Sequence, residues 1–146
     1  MRSAVLAGVR GLTAVATAVT GYVHASLYVD GGYRVIPTVG PGFLLLSSGA
    51  FAVAVLLLIG GSPVLRLGAA GVAAGALGGF VLSRTVGVFG FTEYGLQPAP
   101  QAPVSLISEL GALALLVSWE VLLRRSGATP PAFARAVLRR LAPRGR

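Results

Sequence analysis

"FLLLSSGAFAVAVLLLIG", residues 43 to 60, carries only two polar side chains, Ser47 and Ser48. As a helix it rises about 27 Å, close to the ~30 Å hydrocarbon core of a bilayer, which takes about 20 apolar residues to cross. Three more apolar stretches accompany it, at roughly 5–29, 64–88 and 104–123. The 146-residue chain has a mean hydropathy of +0.83 and 11% charged residues, against roughly a quarter in soluble domains. The fold class that follows is all-α: a polytopic membrane protein, a four-transmembrane-helix bundle over residues 1–128 with a basic amphipathic cytoplasmic tail over 129–146.

The first stretch is interrupted at Arg10, which places its membrane-buried part at 11–29. Ala16-Thr17-Ala18 satisfies the small-residue rule for signal cleavage, but apolar sequence continues well past it, so the segment reads as a signal anchor. Arginine sets the orientation. With a cytoplasmic N-terminus, Arg2, Arg10, Arg66 and the seven arginines from Arg124 onward lie inside, and only Arg34 and Arg84 lie outside. The flipped arrangement exports ten arginines, against the positive-inside rule. Both termini are expected in the cytoplasm of a multi-pass plasma-membrane protein.

In the tail, Phe133, Ala134, Val137, Leu138 and Leu141 fall on one helical arc, and Arg135, Arg139 and Arg140 on the other. Such a helix, begun by Pro130-Pro131, would lay its arginines on the inner leaflet. The alternative is a frayed, solvated tail that only enforces topology.

Composition removes several classes of function. No cysteine means no disulfide, thiolate metal site or thiol redox chemistry. One histidine, and a single methionine at position 1, cannot supply a haem's axial pair. No cofactor and no metal are expected. The net charge of +8 reports topology and contact with membrane lipids. Without a basic-aromatic recognition module, nucleic acid is not an expected partner.

Gly71, Gly75 and Gly79 recur every four residues, with Ala70, Ala74 and Gly78 beside them. Thr13, Thr17, Gly21 and Ala25 form a similar stripe on the first segment. Small-xxx-small stripes allow close helix approach in lipid, so the first and third segments are expected to meet, within one protomer or between two.

Polar groups gather at one level. His24 and Glu109 each lie about five residues, or 7–8 Å, inside the outer ends of their segments. Ser47 and Ser48 reach a similar depth, Arg84 sits near the outer boundary, and the outer loops add Asp30, Arg34 and Glu93. Ionisable groups at such depth face the protein interior and are paired, so Glu109 is expected either to find a cation, Arg84 or His24, or to be protonated. Thr13, Thr17 and Thr20 share the His24 face of the first segment. The cluster of His24, Arg84, Glu109, Asp30, Arg34 and Glu93 suits three uses: fixing helix register, lining a binding pocket, or moving a proton. A relay along the fourth segment is broken, because only Ala112, Leu113 and Leu116 lie between Glu109 and Glu120. Glu120 is expected to pair with Arg124 at i+4. Tyr22, Tyr28, Tyr33 and Phe43 read as outer interfacial anchors and Trp119 as an inner one.

Two stretches, "HASLYVDGGYRVIPTVGPGFLL" (24–45) and "TVGVFGFTEYG" (85–95), carry a His-x-x-Leu-Tyr and Gly-Tyr-Arg-x-Ile-Pro-Thr-Val-Gly-Pro pattern. This resembles an uncharacterised group of small four-helix integral membrane proteins from actinobacteria. The resemblance covers most of residues 10–123, excludes the tail, and implies a fold and a compartment but no activity.

No nucleophile–base pair or metal-ligand set stands out, so an enzyme is the least favoured reading. The first expectation is a non-enzymatic accessory or structural membrane subunit, self-associating or joining a larger membrane complex through the glycine stripes. The alternative is a binder or carrier of a lipid, quinone or other hydrophobic ligand that uses the outer polar layer.

Overall fold

The computed structural model describes residues 2–127. The amphipathic tail expected at 129–146, with Arg135, Arg139 and Arg140, lies outside the described residues. The chain forms four helices, α1 (Arg2–Val29), α2 (Val39–Ile59), α3 (Pro63–Arg84) and α4 (Gln101–Arg125), with one 3-10 turn, Tyr33–Val35, between α1 and α2. Each of the four is long and apolar enough to cross a membrane.

The helix ends differ from expectation by a few residues, for local reasons. α2 begins at Val39, ahead of Phe43, because Pro41 falls in a first turn whose amides have no helical partner to lose. α3 starts at Pro63 behind Ser62, whose hydroxyl accepts the Leu65 amide. It stops at Arg84 and does not reach 88. Gly87 takes a positive φ of 84° and its amide donates to the Leu82 carbonyl at 2.8 Å, a glycine-terminated helix end. Val88 and Phe91 then exchange backbone hydrogen bonds of 2.8 and 2.9 Å, which pinches the following loop back toward the bundle. α4 begins at Gln101 with Pro103 in its first turn, so Glu109 lies eight residues inside that helix, about 12 Å from its start.

α1 is the central helix, in extended contact with α2 and α4 and in only slight contact with α3. Gly21 permits the α1–α2 approach: a Cβ there would stand 3.1 Å from the Ala50 Cβ and 3.3 Å from the Ser47 carbonyl oxygen. Thr13 and Thr17 are buried on the same side of α1. The pairing of the α1 stripe with the α3 glycines is therefore not the one made within this chain. α3 instead buries Ala69, Ala73 and Ala76. Gly71 and Gly75 sit two residues beyond Ala69 and Ala73, a rotation of about 200°. Gly71, Gly75 and Gly79 are accordingly exposed, with no atom within 4 Å of a Cβ built on any of them.

Two apolar clusters hold the bundle. Ala14, Leu57, Ala69, Leu116 and Trp119 fill the end that holds the α2–α3 link. Val23, Leu27, Tyr33 and Val39 fill the end that carries the two long loops, called the loop end below. Trp119 is a core residue and not an interfacial anchor. Its ring lies so close to Gly61 that a Cβ there would stand 2.5 Å from Cζ2. Beside it, Glu120 pairs with Arg66 of α3 and not with Arg124, and Arg66 also donates to the Gly61 carbonyl at 2.6 Å. The cross-helix partner wins because Arg66 is already oriented by Gly61 and by the Trp119 ring, 5.5 Å away.

Candidate functional site

The threonines of α1 form a polar stripe that reaches α4 at Thr20. Thr13 and Thr17 each donate to the carbonyl four residues back, at 2.8 Å, which satisfies hydroxyls buried inside a helical bundle. Thr20 crosses to α4 and meets Ser108 at 3.0 Å. Ser108 Oγ also lies 2.8 Å from the Ser105 carbonyl and Thr20 Oγ1 3.3 Å from the Ala16 carbonyl, so each hydroxyl has one proton and two acceptors within reach. The Ser105 hydroxyl in turn donates to Glu109 Oε1. Ser105 and Ser108 escape a reading of single charged positions. Their signal is spacing, since Ser105 stands at i−4 from Glu109 on one helix face.

His24 lies one turn beyond Thr20. A carbonyl oxygen only accepts, so the 2.9 Å contact from Nδ1 to the Thr20 carbonyl puts a proton on Nδ1. Nε2 makes no hydrogen bond among the described residues. The ring packs edge-on against Phe43 at 4.9 Å between centroids.

The loop after α3 forms a roof. The Glu93 amide donates to the Ser83 carbonyl at 2.9 Å, which brings the loop back over the end of α3. There the Glu93 carboxylate pairs with Arg84, Nη1 to Oε2 at 3.1 Å, and accepts the Tyr33 hydroxyl. Arg84 spends its remaining donors on the Gly95 carbonyl (2.8 Å), the Gln97 carbonyl and Ser83 Oγ (2.7 Å), and its guanidinium lies 3.6 Å from the Phe80 ring centroid. Tyr33 stacks on Phe43 and meets Phe91 edge-on, at 4.9 and 5.7 Å. Burial raises the Tyr33 phenol above the ordinary tyrosine range, and the hydrogen bond and charge of Glu93 add to the shift, with Arg84 opposing.

Beneath this roof is a cavity of about 260 Å³. His24, Glu109, Arg84, Glu93, Tyr33 and Ser105 supply its polar wall, and side chains from all four helices complete it. Four members of the expected cluster, His24, Arg84, Glu93 and Glu109, thus come together. Asp30 and Arg34 do not: both are exposed and stand apart from the lining. Ser47 and Ser48 also stay outside it, each bonded to the Leu44 carbonyl.

The expected pairing within the cluster is not the one formed. Arg84 is committed to Glu93, and His24 to the Thr20 carbonyl. Glu109, only 2% exposed, is left with one neutral hydroxyl and no cation among the described residues. No hydrogen bond reaches its second oxygen, while the residue lines the cavity. Among the described residues no three His, Asp or Glu side chains converge as a metal ligand set requires.

No family model matches the chain, and no curated protein or solved structure matches it. The functional reading therefore rests on the pocket.

Proposed function

We propose that this chain is a multi-pass plasma-membrane protein whose pocket, in the outer leaflet, binds a small hydrophobic molecule by its polar head, as a lipid or quinone would be bound. The observation that carries this reading is Glu109: a carboxyl 2% exposed, on a cavity wall, with no cation beside it. A carboxylate taken out of water without a partner costs several kcal/mol. Intramembrane ionisable groups that remain unpaired mark functional sites. A purely structural carboxyl would be expected to have claimed Arg84, which instead holds the roof.

The test is native mass spectrometry of the protein extracted directly into lipid nanodiscs. The expected result is a discrete bound small molecule that disappears in Glu109→Gln with the fold intact. A clean apo mass for both forms would overturn the reading.

The outer placement of the pocket follows from both termini being cytoplasmic, which the arginine distribution supports. Because the chain has no cysteine, Thr92→Cys in the exposed loop gives a unique reporter. It should react with an impermeant maleimide from the outside of intact cells.

A second reading, the non-enzymatic accessory subunit, draws on the outward face of Gly71, Gly75 and Gly79. In the same spectra it predicts a defined homo-oligomer or a co-purifying chain in place of a small ligand.

A further inference from the structure

We propose that the pocket takes an amphiphile with a cationic, ammonium-type head, and that this ligand is loaded sideways from the bilayer through a gap between α2 and α3 bordered by Gly42, Gly75 and Gly79. The inference rests on the binding role above and adds the charge of the head and the route.

Charge comes first. The chain has four acidic side chains. Glu93 is matched by Arg84 and Glu120 by Arg66, while Asp30 is exposed at the surface. Glu109 alone is buried without a cation among the described residues. A cationic head supplies the missing partner and donors for its unbonded oxygen. His24, with its proton held on Nδ1 by the Thr20 carbonyl, offers a lone pair at Nε2 in the uncharged ring, again an acceptor. The remaining wall includes Phe43 and Phe91, and aromatic faces attract cations, whereas the Phe80 face is already taken by Arg84. Arg84 also lines the pocket, but Glu93 matches its charge and three oxygens take up its N–H groups.

Size comes second. At about 260 Å³ the cavity exceeds the space that admits benzene, ~150 Å³. It falls short of the ~300–1,000 Å³ pockets that enclose whole drug-sized ligands. It fits a head and the first carbons of a chain, with the rest of the chain outside.

The route follows from which walls are closed. On the loop side, Tyr33 and Phe91 cover the pocket, and Arg84 and Glu93 tie that cover down. Toward α2 and α3 the lining runs out through Gly42, Gly75 and Gly79, all exposed and all with open space where a Cβ would stand. Gly79 and Gly75 lie five and nine residues inside the Arg84 end of α3, about 8 and 14 Å along its axis. That depth is hydrocarbon when α3 spans a bilayer, so the open side faces lipid tails and not water.

The test uses the full chain in nanodiscs of zwitterionic lipid, with three probes of one tail length: decylammonium, decanol and decanoate. Bound probe is counted by native mass spectrometry against empty nanodiscs. Decylammonium should bind at least about tenfold more tightly than the other two, a difference of about 1.4 kcal/mol, and Glu109→Gln should erase the preference. Equal binding of decanol, or stronger binding of decanoate, overturns the cationic head while leaving a pocket. Binding of none of the three overturns the pocket reading itself. For the route, Gly79→Leu should slow loading of decylammonium about tenfold, whereas Gly87→Val, which disturbs the roof loop from a position off the cavity lining, should leave the rate within about twofold. Unchanged loading in Gly79→Leu, with acceleration in Gly87→Val, places the route through the loops and overturns the lateral gap. Gly75→Leu repeats the test should Gly79→Leu lose helical circular dichroism. Gly71→Leu, on the same face but off the cavity lining, is the control.

Discussion

Arg84 and Glu93 close an ion pair of 3.1 Å between the last residue of α3 and the loop that follows it. Both side chains are largely buried, and Arg84 also holds the carbonyls of Gly95 and Gln97. Hydrogen bonds to charged groups contribute about 1.5–3 kcal/mol each when one partner is lost from a buried site. Arg84→Met should therefore leave four helices by circular dichroism yet expose the loop. Amide hydrogen exchange over 86–97 should rise sharply, and stability should fall by about 2 kcal/mol. Unchanged exchange would show that the loop stands without its staple.

Tyr33 is the roof member with a pH signature. Its phenol is held above the ordinary range by burial and by Glu93, so the folded state keeps the proton more tightly than the unfolded chain, where tyrosine titrates near 10. The contribution to stability is complete below that pH and drains away as pH climbs toward the folded value. An alkaline absorbance titration should show a phenol that ionises late, or only on unfolding. Tyr33→Phe should remove that late step. A titration identical in the two proteins would contradict the burial of this ring.

Gly61 is the sharpest steric constraint outside the pocket. A Cβ there would stand 2.5 and 2.9 Å from two carbons of the Trp119 ring, which is itself buried. Gly61→Ala should cost about 1–3 kcal/mol in thermal unfolding, as overpacked cores do. Gly60→Ala, at an extended φ of −154° with open space at its Cβ, should be nearly neutral. Equal effects at the two positions would mean the ring can retreat.

The Thr20–Ser108 contact links α1 to α4. Hydroxyl pairs between membrane helices are worth about 0.6 kcal/mol on average and rarely above about 1.7. A double-mutant cycle of Thr20→Val and Ser108→Ala should give a coupling in that range. Zero coupling would indicate that each hydroxyl is satisfied by its own helix carbonyl.

How much of this was legible in the sequence varies by residue, for physical reasons. Unbroken hydropathy over 43–60 leaves no choice of state, so α2 is plain from its composition. Part of the polar layer was also readable, because depth along a helix follows from residue number and brings His24 and Glu109 to one end, while Asp30, Arg34, Ser47 and Ser48 stay off the cavity. The partner of Arg84 was not. Choosing Glu93 depends on Gly87 turning the chain and on the Glu93 amide reaching Ser83, both decided by loop folding. Trp119 and Glu120 failed as local readings because their partners, Gly61 and Arg66, come from a different helix hairpin. The glycine stripe of α3 matched a rule about close approach, yet an alanine stripe two residues out of phase took the buried face. A composition rich in both residues gives the rule two answers, and only tertiary contacts choose between them.

The link between α2 and α3 is three residues, Gly60 to Ser62, and it is clamped where Trp119 abuts Gly61 and Arg66 grips the Gly61 carbonyl. At their other ends the same two helices have no direct connection, only the loops that fold over the cavity. The pair is thus built like tweezers, riveted at one end and free at the tips. A thicker occupant would spread the tips at Gly42 and Phe80 while the rivet near Leu65 stays still, so the molecule's compliance is concentrated where the cavity is.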